Sequence, residues 1–298
     1  MRKLNHDALK QAIRQAGVAA GDIVHVQSDL RRIGPVDCPP RREDMLAFYL
    51  AAFQEVLGPE GTLTVCTAFE DYGRYQTPFI LEESPSLTDT FSDYVRIRPG
   101  AVRSCHPIVS VTGLGGRAQE ICDGPHFDGF GYDSPWGRLH RANAWIMTLG
   151  LGPQHGGTTF CHYLEGMYGA PYKYTKLYKT PVYAGGQEVK GTFTMSVRYL
   201  DFGIAHYSIR LKQHLLELGR ASNIPLGGSF IWCAAAQEIF EVGIECLRRD
   251  RYFLLEQPPR FRRGEIPCDG PTGPLQDYYD QANNRPEGGL ALPAPGVL

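Results

Sequence analysis

Four stretches of this 298-residue chain combine polar residues in ways that suit chemistry: HVQSDLRRIG (25–34), FEDYGRYQTPFILEESPSLTDTFSDY (69–94), RPGAVRSCHPIVS (98–110) and GGTTFCHYLEGMYGAPY (156–172). Each follows or precedes an apolar run that reads as a strand, and ligands of α/β proteins collect at strand ends. In the last stretch His162 and Glu165 are three residues apart, so on a helix they share a face. Thr158 or Thr159, after two glycines, is placed to cap that helix, which puts His162 in its first turn. There the positive helix end and burial keep an imidazole neutral, and a neutral imidazole near pH 7 is a general base. A plainer reading of the same pair is a hydrogen-bonded core histidine beside a solvated glutamate.

The other three stretches leave alternatives open in the same way. His25 interrupts an apolar strand and Ser28 follows three residues on, before the turn to Gly34. A serine so near a histidine invites a nucleophile reading, but the G-x-S-x-G elbow of serine hydrolases is missing, and a turn or cap role suits Ser28 better. In RSCHP, Pro107 holds the preceding backbone extended and so aims Arg103, Ser104 and His106. A guanidinium with backbone N–H groups nearby either contacts phosphate or closes the loop on itself. Stretch 69–94 sets Glu70, Asp71, Glu82, Glu83, Asp89 and Asp93 against Arg74, which makes it an anionic attractor for a polycation or an ordinary solvated surface. Further on, Tyr168, Tyr172, Lys173, Tyr174, Lys176 and Tyr178 suit stacking on a sugar and gripping an anion. His25, His106 and His162 could also meet around a metal, although their spacing matches no compact zinc motif.

The elements that must position these residues alternate between helical and strand periodicity. Leu9, Ile13 and Ala16 repeat at helical spacing until Gly17 and Gly21, and DIVHVQS follows as a buried strand. Residues 41–57 form a second helix with Met45, Phe48, Tyr49, Ala52, Phe53, Val56 and Leu57 on one stripe, stopped by GPEG before the strand TLTVCTAF. Later strands are PIVSVTG, AWIMTLG and FTMSVRYL, and later helices span about 206–219 and 234–249. Such alternation predicts an α/β fold with a central mixed sheet flanked by helices. Pro, Gly and charge dominate from residue 256, so the chain divides into one domain (1–255) and an extended or disordered tail (256–298), with a brief helix at 277–281.

Composition removes several classes of function. With 43% hydrophobic residues the chain can bury a large core, and its net charge of −2 gives no reason to expect nucleic acid or an anionic membrane surface. No apolar run approaches the roughly 18 residues of a membrane span, and the first residues lack a signal-peptide core. The eight cysteines form no C-x-x-C and most sit in apolar stretches, which fits a reducing, cytoplasmic setting.

Taken together, these blocks resemble the aminoglycoside 3-N-acetyltransferase family, also called the antibiotic N-acetyltransferase superfamily. The likeness rests on the H-x-x-S turn with its glycine (His25, Ser28, Gly34), the strand opening at Glu60–Thr62, RPGAVRSCHPIVSVTGLG (98–115) and TTFCHYLEG (158–166). PVYAGGQEV, DFG and CLRRDRYFLL extend it through about residue 255, and the tail lies outside it. The joined RS-x-HP and T-T-x-x-H-x-x-E blocks carry its specificity. It implies an antibiotic N-acetyltransferase-like fold, with acetyl-CoA or another short acyl-CoA as donor and an amine of an amino sugar as acceptor. Transfer would be direct, in a ternary complex without an acyl-enzyme or a metal. The family's essential histidine falls on His162, with Glu165 or Asp201 orienting the ring, Thr159 or Ser28 near the oxyanion, and His25 counted with the catalytic set.

The resemblance lines the cofactor channel with Ser28, Asp29, Leu30 and Arg31 and with Arg103, Ser104, His106, Pro107, Ile108 and Ser110. Acceptor contacts are expected at Glu70, Asp71, Asp89, Asp93, Tyr168 and Asp201. The sequence departs from the family in SPSLTDTFSDY, where a glycine usually follows the PS pair, and this leaves the acceptor open. Antibiotic resistance, or the same chemistry on a nucleotide-linked or natural-product amino sugar, are both consistent with it. A metal-dependent hydrolase and an inactive relative acting as a binding protein are the remaining readings, and a homodimer is the expected assembly.

Overall fold

The apolar stripes of the sequence converge on one seven-stranded sheet. A computed structural model describes residues 3–199 and 204–259. In chain order, α1 (His6–Gln15), β1 (Ile23–Ser28), α2 (Arg42–Leu57), β2 (Thr62–Cys66), α3 (Asp71–Tyr75), β3 (Phe79–Ile80) and α4 (Thr90–Arg96) come first. Next are β4 (Val102–Arg103), β5 (Val111–Gly115), α5 (Ala118–Cys122), α6 (Pro135–Arg141) and β6 (Trp145–Leu149). Then follow α7 (Phe160–Tyr168), β7 (Lys173–Tyr178), β8 (Val182–Ala184), β9 (Gln187–Glu188) and β10 (Phe193–Arg198). Finally come α8 (Ile209–Glu217), β11 (Ser222–Leu226), β12 (Ser229–Ala235) and α9 (Ala236–Arg249).

The main sheet runs β11-β12-β6-β1-β2-β5-β4. β1 is parallel to both β2 and β6, and the outer pairs are antiparallel, so the sheet is mixed as expected. Two apolar clusters form its two faces. One gathers α1, α2 and α4 over Val24, Val26, Leu63 and Val65; the other gathers α6, α7 and α9 over Ile146, Trp232 and Ala234. Alternate residues of each central strand therefore enter opposite clusters, the geometric result of a period of two. Pro225 is tolerated in β11 because that strand lies at the edge of the sheet. Among the described residues no helix is long and apolar enough to cross a membrane.

Local chemistry sets the element ends. Asn5 caps α1 through a 2.8 Å bond from the Ala8 N–H, and Ser134 caps α6 with Pro135 behind it. The expected α2 stripe is buried except at Met45, which is 38% exposed because it sits at the stripe's rim. Two expected strands change. PIVSVTG begins its pairing only at Val111, since the residues after Pro107 turn, and FTMSVRYL forms β10 of a separate antiparallel pair with β7. The domain boundary at 255 falls within a pinned segment, because the Glu256 N–H reaches the Ala205 carbonyl at 3.0 Å. Residues 260–298, including the expected helix at 277–281, lie outside the described residues.

One close approach brings the strand ends together beside the site. Gly150, just after β6, has φ +81°, and a Cβ there would lie 2.2 Å from the Asp29 carbonyl oxygen. Only glycine allows β1 and β6 to finish so near each other. Gly150→Ala should cost about 1–3 kcal/mol in chemical denaturation, and more than Gly156→Ala, where φ is +52° but nothing lies within 4 Å. Equal losses at the two positions would show that backbone strain alone matters there.

Candidate active site

Two tethers start α7 and thereby aim its first turn. Thr158 Oγ accepts from the Phe160 N–H at 3.3 Å, and the Thr159 N–H donates at 3.1 Å to Gln27 Oε1, at the end of β1. Thr159 holds the N-cap position, so His162 is the third helical residue, in the first turn as its spacing predicts. The loop ahead of the helix passes tightly over α8: a Cβ on Gly157 would fall 1.6 Å from Ser208 Oγ.

At the centre of the site is the Glu165 carboxylate, completely buried. His162 Nδ1 lies 2.9 Å and Lys173 Nζ 3.2 Å from its Oε2. The Tyr172 hydroxyl donates to Oε1 at 2.8 Å, and His206 Nε2 lies 3.2 Å from the same oxygen, within ion-pair distance but off the line of a hydrogen bond. Burial by itself would raise the Glu165 carboxyl; the Lys173 charge, the His206 ring beside it and the bond from His162 outweigh it and hold the group ionised, well below 4.5. An ionised carboxylate only accepts, so His162 carries its proton on Nδ1 and leaves the Nε2 lone pair free. Desolvation pushes the His162 pKa down to about 3 against the upward pull of Glu165. Since 30% of the side chain meets the cleft, solvent moderates that drop, and the direction, a neutral ring at pH 7, stands.

That ring opens into a cleft of about 300 Å³ lined by Glu70, Phe130, Thr159, His162, Lys173 and Arg198 among others. An aromatic chain floors it, in which His162 packs on Phe130, Phe130 on Trp136, and Trp136 on His25. A larger hollow, about 430 Å³ between β4 and β8, shares no residue with this cleft and holds no comparable proton-transfer pair. The smaller one is therefore the candidate active site.

A neutral histidine oriented by a buried carboxylate, at the mouth of a cleft beside a helix start, is the outfit of a base that deprotonates a nucleophile. The sequence profile described as aminoglycoside 3-N-acetyltransferase matches residues 24–248. The chain belongs to the aminoglycoside 3-N-acetyltransferase family. As a member it is a coenzyme A-dependent N-acyltransferase. Aminoglycoside N(3)-acetyltransferase III of Salmonella sp is 26% identical over 274 residues, covering 81% of this chain and 91% of the relative. Aminoglycoside N(3)-acetyltransferase VIII of Streptomyces fradiae is 28% identical over 200 residues, 61% of this chain and 67% of the relative. Among solved structures, AAC-IIIb in a binary complex with CoASH aligns with a TM-score of 0.71 at 20% identity, covering 87% of this chain and all of that one. AAC-VIa bound to sisomicin aligns with a TM-score of 0.71 at 24% identity, covering 83% and 98%. These two likenesses show a shared fold.

Within the family frame the structure sorts the expected site residues. It brings together His162, Glu165 and Thr159, and Ile108 lines the cleft with His162 and Thr159. It does not bring His25, which is fully buried between Thr64 (3.1 Å from Nδ1) and Trp136. Arg103 is bound up internally as well. Its guanidinium donates to the Thr67 carbonyl (2.8 Å), Ser110 Oγ (3.1 Å), the Leu81 carbonyl (3.2 Å) and the Ser84 carbonyl, so it closes its own loop. His106 accepts from the Ile108 and Val109 N–H groups at 3.2 and 3.3 Å and donates to the Thr194 carbonyl at 3.0 Å, which shapes the turn that includes Pro107. Ser104 Oγ takes the Val111 N–H at 2.9 Å, and Ser110 Oγ donates to the Thr67 carbonyl at 2.7 Å.

The amino-terminal turn and the acidic stretch are bound up in the same manner. Ser28 Oγ donates to Asp89 at 3.2 Å; Asp29 pairs with Arg31 and Arg32; Leu30 packs partly buried on the core, and Arg31 is 93% exposed. Asp89 caps α4 through Ser92, and Asp93 holds the Ser86 N–H and Arg96, both at 2.8 Å. Glu70 pairs with Arg74 at 3.1 Å, and Asp71 opens α3. The oxygens of Asp89 and Asp93 thus accept from the protein's own donors. Tyr168 packs partly buried against the core, and Asp201 lies outside the described residues.

Sequence reading missed Gln27, His206 and Lys212. The last is buried 3.0 Å from Thr148 Oγ and 3.1 and 3.2 Å from the Leu151 and Gly152 carbonyls, holding the loop ahead of α7 from behind. Only the HYS histidine and the amphipathic IRLKQHLL helix marked that region. Among the described residues, His162, Glu165 and His206 are the group whose ligand atoms lie close enough (within 4.8 Å) for a metal, and His25 and His106 are not in it. Lys173, 3.2 Å from the same carboxylate, already supplies the positive charge there and would repel a dication.

Three buried histidines give the enzyme an acid limit. Burial pushes His25 down to about 3, His106 to about 4 and His126 well below 6.5. The unfolded chain takes up protons near pH 6.5 that these folded rings refuse, so stability falls as pH falls through the window from 6.5 towards 4. Each ring contributes about 1.4 kcal/mol per pH unit there. Thermal melts should show Tm dropping steadily from pH 7 to 5; a Tm independent of pH over that range would contradict the neutral assignment.

Proposed function

We propose that the protein moves an acetyl or other short acyl group from a coenzyme A thioester directly to an amine of an amino sugar, in a ternary complex, with His162 Nε2 as the general base. The observation that carries this reading is the 2.9 Å contact between His162 Nδ1 and the buried Glu165, which fixes the ring's tautomer and turns its lone pair to the cleft. The acceptor's attacking N–H proton passes to Nε2 as nitrogen bonds to the thioester carbonyl carbon. The tetrahedral intermediate then collapses with cleavage of the C–S bond, and the imidazolium returns the proton to the departing thiolate. Glu165 stabilises the transient imidazolium, and Lys173 and Tyr172 keep Glu165 ionised throughout.

The Thr159 hydroxyl suits the oxyanion. It lines the cleft, and its bond to Gln27 is long at 3.5 Å, so it is available to donate as charge develops on the thioester oxygen. Ser28, bound to Asp89, is not so placed. The relative AAC-IIIb with CoASH supports the donor, and AAC-VIa with sisomicin supports an amino-sugar acceptor. A reducing, cytoplasmic setting accords with buried, unbridged thiols at Cys66, Cys105, Cys122, Cys161, Cys233 and Cys246.

His162→Ala should lower kcat for thiol release by about 10²–10⁴-fold while leaving acetyl-CoA binding by calorimetry intact. Near-normal turnover in a folded His162→Ala protein would remove the histidine from the mechanism. Because the ring's pKa is depressed, the acid limb of kcat/KM should lie below pH 6.5.

A further inference from the structure

The charges lining the cleft do not match a polycation. Glu70 is paired with Arg74, Lys173 with Glu165, and Asp89 and Asp93 are turned into the protein. Arg198, at the end of β10, is different. It lines the cleft with His162, its Nη1 is buried without a hydrogen-bond partner, and among the described residues its guanidinium makes no ion pair. Removing a charged donor from water with nothing to receive its proton is costly, and native structures seldom leave such a group unmatched unless something else supplies the acceptor.

We propose that Arg198 binds an anionic group, a carboxylate or phosphate, carried by the acceptor close to its reacting amine. The inference rests on the acyl-transfer reading above. Arg198 stands opposite Lys173 in the β7–β10 pairing, so the two backbones are about 5 Å apart, and Lys173 Nζ lies 3.3 Å from the His162 carbonyl oxygen. A group held by Arg198 is therefore only a few bonds from an amine presented to His162. The phosphates of coenzyme A are separated from the thioester by the whole pantetheine arm, which places them beyond this corner. A guanidinium grips a carboxylate or phosphate through two parallel N–H donors, so it would fix the acceptor's orientation as well as its affinity. Phe130, with Ile108, Val109 and Val197, gives the sugar ring an apolar wall.

The test compares wild type with Arg198→Met and Arg198→Lys, using glucosamine, glucosamine 6-phosphate, UDP-glucosamine, an amino-uronic acid and the aminoglycoside neamine as probes. Calorimetry with each probe and with inorganic phosphate is run alongside thiol release from acetyl-CoA. The expected result is that at least one anionic amino sugar binds wild type more tightly than its uncharged counterpart. Arg198→Met should weaken that binding, or raise that acceptor KM, about 10–100-fold, with Arg198→Lys in between and the KM for acetyl-CoA unchanged. Without ligand, Arg198→Met should melt no lower than wild type, since it removes a buried donor atom that has no partner, so misfolding is separable from lost binding.

The idea is overturned if no anionic probe outbinds glucosamine, if neamine is preferred and unaffected by Arg198→Met, or if the substitution raises only the KM for acetyl-CoA, which would assign Arg198 to the donor's phosphates. Anion binding that depends on Arg198 without turnover of any amine would instead uphold the site and count against the proposed reaction.

Discussion

The rest of the site depends on one buried carboxylate. Glu165 has no contact with solvent, and an ion in such surroundings persists only when its oxygens are met by donors. The groups that meet it come from different parts of the chain: His162 from the same helix, Tyr172 and Lys173 from the entry to β7, and His206 from the segment before α8. Each is thereby tied to one point. The orientation of the His162 ring, the placement of the β7–β10 ribbon and the approach of α8 are consequences of a single electrostatic requirement. An uncompensated charge at that position would destabilise the fold as well as the chemistry.

The helix carrying this carboxylate is held from two sides. In front, Gln27 at the end of β1 receives the Thr159 N–H; behind, Lys212 binds Thr148 and the carbonyls of the loop that leads into the helix. Among the described residues Lys212 has no carboxylate partner. Burial pushes its pKa down to about 7, and carbonyl and hydroxyl oxygens together with the face of Trp232, 5.0 Å away, take the place of a counter-ion. The His162 ring is thus supported by the sheet rather than by a loop alone.

Polar residues around the cleft divide by what they satisfy. Arg103, Ser104, His106 and Ser110 serve the backbone of their own neighbourhood, because loops folded against a core leave N–H and C=O groups that must find partners. The acidic stretch behaves likewise: Asp89 caps a helix and Asp93 anchors a turn. The carboxylates of Asp89 and Asp93 are engaged internally, and the cleft is left with Arg198, whose buried Nη1 has no hydrogen-bond partner among the described residues.

Much of this was legible in the sequence, for local reasons. The spacing of His162 and Glu165, the threonines before them and the glycines before those are short-range features, and a helix converts a separation of three into a shared face whatever surrounds it. Alternating apolar periods announced the mixed sheet and its covering helices, since one-sided burial imposes those periods directly. The blocks at 25–34, 98–115 and 158–166 were enough to name the family. What the sequence could not reveal was pairing across distance. FTMSVRYL read as a strand but not as the partner of Lys173–Tyr178, His25 looked as available as His162, and nothing near Gln27, His206 or Lys212 said where their side chains would end. Which polar groups face each other is settled only when the chain closes, because burial then forces each donor to a particular acceptor, and that choice depends on residues scores of positions away.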